Sequence, residues 1–362
     1  MGLRALFMGI TTSAVTILMV WYYEMQLHFG FKIAVGATLL LYLLIPILYH
    51  FNSSVQRHLV FLPFVRWPAG INFSDPDSQG LQGCRNFYLM TQEDVTVGVW
   101  HMLPKSLIQQ SKGKESQFWE DSMRNSGKHV IIYFHGNTGS RAVPHRMELY
   151  LILQQLDYHV VSFDYRGYAD STQIPPSETG VVTDGYAVYK YVRSILGASS
   201  VSSHVVSNLC KEGDPPTALF LESPFTSIGE EVKHHMLAAI YRYMPGFDFI
   251  FVKPLHRNDI AFESDRHIAN IDIPMIIFHA TDDPVIPYFL GKKLHTIAKR
   301  KRSSSAKPIY FKGFGEGFGH KYIYRSPELP QLIRDFVQCA CTNQWPCPGF
   351  NKSDSADVLA QD

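Results

Sequence analysis

From residue 129 onward the chain alternates between short, unbroken apolar runs and longer stretches with one apolar face. Val130 to Phe134 is wholly β-branched or aromatic, which fits a strand covered on both faces of a parallel sheet. A helix is expected over 143–156, where Leu149, Ile152, Leu153 and Leu156 fall at i, i+3, i+4 and i+7. The next strand is His159–Asp164, followed by a helix over 183–196 with Tyr186, Tyr189, Tyr191 and Val192 to bury. Strands at 218–222, 274–279 and 307–312 and a closing helix at 328–337 continue the rhythm. Strands and helices alternating at these lengths predict an α/β domain, a mostly parallel sheet with helices on both faces. Upstream, Arg85–Met90 and Val95–His101 alternate around Thr-Gln-Glu-Asp and read as an antiparallel hairpin. The polar stretch 104–127 is expected to be a loop.

Ahead of this domain lie two apolar runs, Ala5–Tyr23 and Ile33–Tyr49, each near the roughly 20 residues that cross a bilayer. Lys32, Glu24, Arg57 and Arg66 flank them and give only a weak orientation signal. A single signal-anchor span at 33–49 places the body in the lumen, whereas a hairpin of both runs places it in the cytosol. Sequons at Asn52, Asn72 and Asn351 lean toward a lumenal glycoprotein. The expected location is therefore a membrane, that of the endoplasmic reticulum, with the body on the lumenal side. The division follows: membrane segments in 1–51, a proline- and glycine-bearing linker in 52–82, the α/β domain in 83–340, and a disordered polar tail in 341–362. Within the domain, the aromatic stretch Met236–Val252 marks a cap around 228–262, able to admit an acyl chain or touch a bilayer, although a core-facing helix reads the same way.

Composition narrows the chemistry. With 362 residues, 46% of them hydrophobic, and a net charge of +1, the chain has ample core material and no basic excess for nucleic acid. Five cysteines, at 84, 210, 339, 341 and 347, show no CxxC pair; Cys339, Cys341 and Cys347 could pair or bind metal, but a loosely ordered tail with free thiols fits them better. His145, His234, His235, His256 and His267 show no HExxH or HxH spacing, so neither a metal nor a cofactor is expected.

Three segments remain that suit acyl chemistry. His135-Gly-Asn-Thr-Gly139 turns sharply after a strand and leaves backbone amides, those of Gly136 and Asn137, free to hold an oxyanion. His279-Ala-Thr-Asp-Asp-Pro-Val-Ile-Pro287 sets two carboxylates in a proline-stiffened loop. Asp283 is the better candidate to orient a histidine, with Asp282 as the alternative. Gly313-Phe-Gly-Glu-Gly-Phe-Gly-His320 follows the last strand and offers His320 as the general base.

These segments, with Asp94-Val-Thr-Val-Gly-Val-Trp100, Tyr158-His-Val-Val-Ser-Phe-Asp-Tyr-Arg-Gly167, Leu221-Glu-Ser-Pro-Phe-Thr226, Ile240-Tyr-Arg-Tyr-Met-Pro-Gly-Phe-Asp248 and His320-Lys-Tyr-Ile-Tyr-Arg-Ser-Pro-Glu-Leu329, resemble the membrane-anchored α/β-hydrolases that act as lysophosphatidylserine lipase and monoacylglycerol lipase. The similarity spans about residues 80–338 plus the hydrophobic N-terminus. It implies an α/β-hydrolase fold and serine-dependent cleavage of the acyl ester of a lysophospholipid or monoacylglycerol. It also implies a bilayer as partner, Asp283 and His320 as triad members, and the amides after His135 as the oxyanion hole.

One part of that pattern is missing. No Gly-x-Ser-x-Gly occurs anywhere in the chain, so no nucleophile is identifiable. Where the resemblance calls for a strand and that elbow, Leu196-Gly-Ala-Ser-Ser-Val-Ser-Ser-His204 runs straight into Val205-Val-Ser-Asn-Leu-Cys210. Roughly a dozen residues are absent there by usual strand and turn lengths. Ser199, Ser200, Ser202 and Ser203 lie in a loop and lack the strained turn an elbow provides. Ala169 also stands where the family tends to have glycine. Two accounts fit: a deletion from a gene whose full product is active, or a non-catalytic lipid-binding or scaffold relative. Retention of Asp283, His320 and the oxyanion turn favours the first.

Overall fold

The computed structural model describes residues 29–196 and 203–350. The apolar run at 5–23, Ser199, Ser200, Ser202 and Asn351 lie outside the described residues. The chain forms two compact units, one of Met1–Leu59 with Ile228–Ala261, the other of Val60–Ser227 with Phe262–Asp362. The stretch expected to cap the hydrolase domain thus groups with the N-terminal segment.

In the smaller unit, helix α1 (Gly30–Phe51) is the one described helix long and apolar enough to cross a membrane, and nearly all of it is exposed. The start of the expected linker is instead helical, at Ser53–Phe61. The Asn52 side chain accepts from the Val55 N–H at 3.1 Å and ends one helix while starting the next.

The larger unit carries strands β1 (Cys84–Gln92), β2 (Val95–Met102), β3 (Val130–Phe134), β4 (His159–Phe163), β5 (Leu219–Glu222), β6 (Met275–Ala280) and β7 (Ile309–Phe314). The hairpin β1–β2 is antiparallel, as is β2 against β4, while β3–β4, β5–β6 and β6–β7 are parallel. Its helices are α2 (Gln117–Asn125), α3 (Pro144–Gln155), α4 (Glu178–Leu196), α5 (Ser203–Lys211), α6 (Tyr288–Lys301) and α7 (Leu329–Thr342). Every residue of β4 and β6 is buried, because helices cover both faces. On one face Val188, Tyr189 and Val192 of α4, Val206 and Leu209 of α5 and Leu294 of α6 meet Ile132, Val161, Leu219 and Ile277. On the other, Tyr150 and Leu153 of α3 and Leu332 and Phe336 of α7 meet Val160, Ile276 and Tyr310.

The strands fall into two hydrogen-bonded sheets, β1-β2-β4-β3 and β5-β6-β7, that share these apolar layers. Among the described residues β3 pairs only with β4, and β5 only with β6. The chain passes from β4 through α4 and α5 to β5 with no described strand between the two helices. Among the described residues the break in the sheet therefore coincides with the stretch between α4 and α5, where the sequence carries no Gly-x-Ser-x-Gly.

Several expectations need correcting. The stretch 104–127 contains α2, which buries Trp119 and Met123 one turn apart. The buried stripe of α3 is Arg146, Tyr150, Leu153 and Gln154, with Leu149 and Ile152 only half-buried. Two of its polar side chains are partnered across the layer, Gln154 donating to the Gln82 and Leu103 carbonyls and Tyr150 pairing with Ser162 at 2.7 Å. Residues 341–350 are ordered, and Cys339 is disulfide-bonded to Cys347. Phe350 packs on Tyr310 with ring centroids 4.9 Å apart, an aromatic anchor that overrides the polar composition around it. Cys84, Cys210 and Cys341 are free.

Two buried histidines make stability depend on pH. His101 of β2 and His159 of β4 face each other at 3.0 Å, and the other ring nitrogen of His159 lies 3.1 Å from Ser126 Oγ. Burial lowers both, His159 to about 4. The folded chain resists protonation that the unfolded chain accepts below about 6.5, so stability is full at neutral pH and lost as pH falls toward 4. Urea titrations at pH 7 and 4.5 should show a loss of about 2 kcal/mol from His159 alone, and His159→Gln should flatten the step.

Candidate active site

Parallel neighbours send their loops to the same edge of a sheet, and β6 and β7 deliver the two chemical groups there. Asp283 follows β6, and its Oδ2 lies 2.8 Å from Nδ1 of His320, which follows β7. Oδ1 of Asp283 accepts the N–H groups of Val285 and Ile286, both at 2.9 Å. Burial would raise this carboxyl, but hydrogen bonds from His279, His320 and Ile286, with the nearby His320 charge, hold it well below the usual range. An ionised carboxylate can only accept, so Nδ1 of His320 donates to it, and in the neutral ring that leaves the lone pair on Nε2.

Asp282 has a different task. Its Oδ2 and Oδ1 accept the N–H groups of Gly317 and Gly319 at 2.6 and 2.9 Å, fixing the loop that carries His320. Gly319 has φ +50°, in the left-handed region that favours glycine. Those two N–H bonds lower the carboxyl of Asp282, which stays exposed. The two candidates from the sequence thus divide the work: one meets the imidazole, the other holds its loop.

The glycine turn after β3 is braced from beneath. Arg146 donates to the carbonyls of Ser140 and Thr138, both at 2.7 Å, and the Tyr168 hydroxyl donates to that of Asn137 at 3.0 Å. At Gly139, φ is +66° and a Cβ would come within 2.5 Å of Val143. Asp164 anchors the following residues, accepting from the Arg141 N–H at 2.8 Å and from its guanidinium at 2.5 Å. Among the described residues the N–H groups of Gly136 and Asn137 donate to no protein atom. They are available to an oxyanion.

Other groups at this edge escaped the sequence reading. Glu222 keeps open surface at the end of β5, yet the protein packed around it pushes its carboxyl up to about 6, with His320 opposing and Asp283 adding to the rise. His145, at the start of α3, is pushed down to about 4 by burial and by Arg146, Lys321 and His320. Neither had a spacing signal, since both reach the site only through the fold. Ser223 is buried with φ +46° and an unpartnered hydroxyl. No hydroxyl among the described residues hydrogen-bonds His320.

Away from this edge, Glu178, His204 and His267 bring potential ligand atoms within 4.8 Å of one another, beside a cavity of about 100 Å³. Both carboxylate oxygens are already engaged, by His204 at 3.1 Å and by the Phe262 N–H at 2.7 Å. The group is accounted for as a hydrogen-bonded cluster. A more open cleft of about 430 Å³, lined by Arg302, Tyr310 and Phe350, holds none of the acid and histidine loop residues.

A mostly parallel arrangement between two helix layers, with acid and histidine loops at one carboxyl edge, defines an α/β-hydrolase. Solved structures agree on the fold: an esterase of Pyrococcus furiosus superposes with a TM-score of 0.52 at 14% identity, covering 76% of this chain and 97% of that one. A second crystal form of that esterase gives 0.51. No family model matches the chain. Lysophosphatidylserine lipase ABHD12 of zebrafish (Danio rerio) is 40% identical over 311 residues, 82% of this chain and 81% of that protein. The chicken (Gallus gallus) protein of that name is 43% identical over 309 residues, covering 82% and 81%. Human protein ABHD12B is 32% identical, covering 82% and 85%. This chain belongs to the ABHD12 family of α/β-hydrolase-domain proteins.

Proposed function

We propose that this chain is a lysophospholipase or monoacylglycerol-lipase-type hydrolase that retains the base and oxyanion half of its site and has lost its nucleophile. The observation that carries the reading is the 2.8 Å pair of Asp283 and His320 on neighbouring parallel strands. In the complete enzyme a serine attacks the acyl ester of a single-chain lipid such as lysophosphatidylserine. His320 Nε2 takes the serine proton and returns it to the leaving alcohol, while Asp283 stabilises the imidazolium. The amides of Gly136 and Asn137 hold the tetrahedral oxyanion. The zebrafish alignment is 311 residues long yet takes in 82% of these 362 residues, so roughly a dozen of its positions have no counterpart here. That is the length of a strand and a turn. The second reading, a membrane-tethered lipid-binding or scaffold protein, draws on the absence of Gly-x-Ser-x-Gly from the whole sequence. A fluorophosphonate probe applied to the full chain in membranes should give no labelling. Labelling abolished by His320→Ala would overturn the loss, because it would reveal a replacement nucleophile.

The Cys339–Cys347 disulfide and the exposed sequon at Asn72 support a lumenal body in an oxidising compartment, with the endoplasmic reticulum as the membrane. Endoglycosidase H treatment should shift the mobility of the expressed chain, and Asn72→Gln should reduce that shift. A chain that carries no glycan argues for the opposite orientation.

A further inference from the structure

We infer that residues 236–249 of the smaller unit lie inside one bilayer leaflet, alongside the C-terminal part of α1. The inference rests on α1 crossing the membrane. Tyr42 of α1 donates to the Ile240 carbonyl at 3.3 Å and packs edge-on against Tyr241. About two turns further on, Tyr49 donates to the Phe251 carbonyl at 3.0 Å, and the His50 ring stacks on Phe249 with centroids 4.8 Å apart. At about 1.5 Å per residue, Tyr42 sits roughly 13 Å before the end of the helix. A hydrocarbon core of about 30 Å allots about 15 Å to each leaflet. Whatever is fastened to α1 between Tyr42 and His50 therefore lies at leaflet depth.

The fastened segment suits that solvent. Met236, Leu237, Ile240, Tyr243 and Phe249 are 76, 71, 52, 89 and 54% exposed. Side chains of this kind grouped on one unit mark an interaction surface. Lipid also requires each backbone polar group to be satisfied internally. Here consecutive short turns supply bonds from Ala238 to His235, Ala239 to Met236, Tyr241 to Ala238, Met244 to Tyr241 and Phe247 to Met244. The charges among them are occupied: Arg242 donates to the Lys233 and His234 carbonyls, and Lys233 pairs with Asp248 at 3.2 Å. The occupant of this surface is lipid, continuous with the lipid around α1.

Nitroxide labels on the full chain in phosphatidylcholine–phosphatidylserine nanodiscs test this. Labels are placed at Leu237→Cys and Tyr243→Cys, with Ile33→Cys on α1 and Met90→Cys on β1 as references, in a Cys210→Ala, Cys341→Ala background. Collisions with oxygen should exceed those with a water-soluble nickel chelate several-fold at 237 and 243, as at 33, and the order should reverse at 90. Nickel access at 237 and 243 while 33 stays lipid-facing overturns the inference and leaves the span intact. Low access to both reagents also overturns it, in favour of a covering protein or second copy. Nickel access at 33 removes the span and the inference together.

Discussion

A strand and a Gly-x-Ser-x-Gly turn grafted between Leu196 and Ser203 should turn this chain into an active esterase. The graft would take the corresponding segment of the zebrafish relative. Among the described residues β3 and β5 each pair on one side only, so the added strand would have both to pair with, and its serine would emerge at the edge where His320 already stands. A nucleophile acting with an oriented base accounts for most of the rate of such a triad, so the expected gain is roughly 10⁴-fold or more. Hydrolysis of a lysophospholipid and fluorophosphonate labelling should appear together, and both should vanish in His320→Ala. A graft that folds, reaches the membrane and hydrolyses no faster than the parent would mean that the remaining half-site is not competent.

The second large effect concerns stability. Asp164 and Arg141 are fully buried, and the guanidinium also reaches Asp170 at 2.7 Å and Asn86 at 2.8 Å while packing against the rings of Phe73 and Trp100. Burial alone would raise the Asp164 carboxyl, but Arg141 and His135 hold it low, so the pair stays ionised. Asp164→Ala leaves a buried cation short of a partner, which typically costs about 3–5 kcal/mol. In a domain of this size that corresponds to a fall in Tm on the order of 10 °C. Asp164→Asn should fall between, since it keeps one acceptor. An unchanged melting curve for Asp164→Ala would show that Asp170 alone suffices.

Much of this was legible before any coordinates. Among the described strands, apolar runs gave β3 to β7 and alternation gave the β1–β2 hairpin; a strand buried on both faces, as β4 and β6 are, has little choice of residue. The acid loop and the histidine loop could be matched because they follow consecutive parallel strands. What escaped was set by contacts distant in sequence. The sequence preferred Asp283 to Asp282 but offered no task for Asp282, which only the N–H groups of Gly317 and Gly319 reveal. Likewise Arg146 and Gln154 look like solvent-facing positions until the carbonyls that receive them are in place. The chain beyond Thr342 reads as polar, yet Trp345, Cys347 and Phe350 dock it.

The tandem carboxylates matter for interpreting variants elsewhere in the family. In a mutational survey scored by turnover, a loss at position 282 and a loss at position 283 would not by themselves reveal which contact had gone. One lesion removes the counter-charge of an imidazole; the other unfastens a hinge-like ribbon of glycines. Only the second should be repaired by stiffening that ribbon, so adjacent identical residues can fail for separable causes.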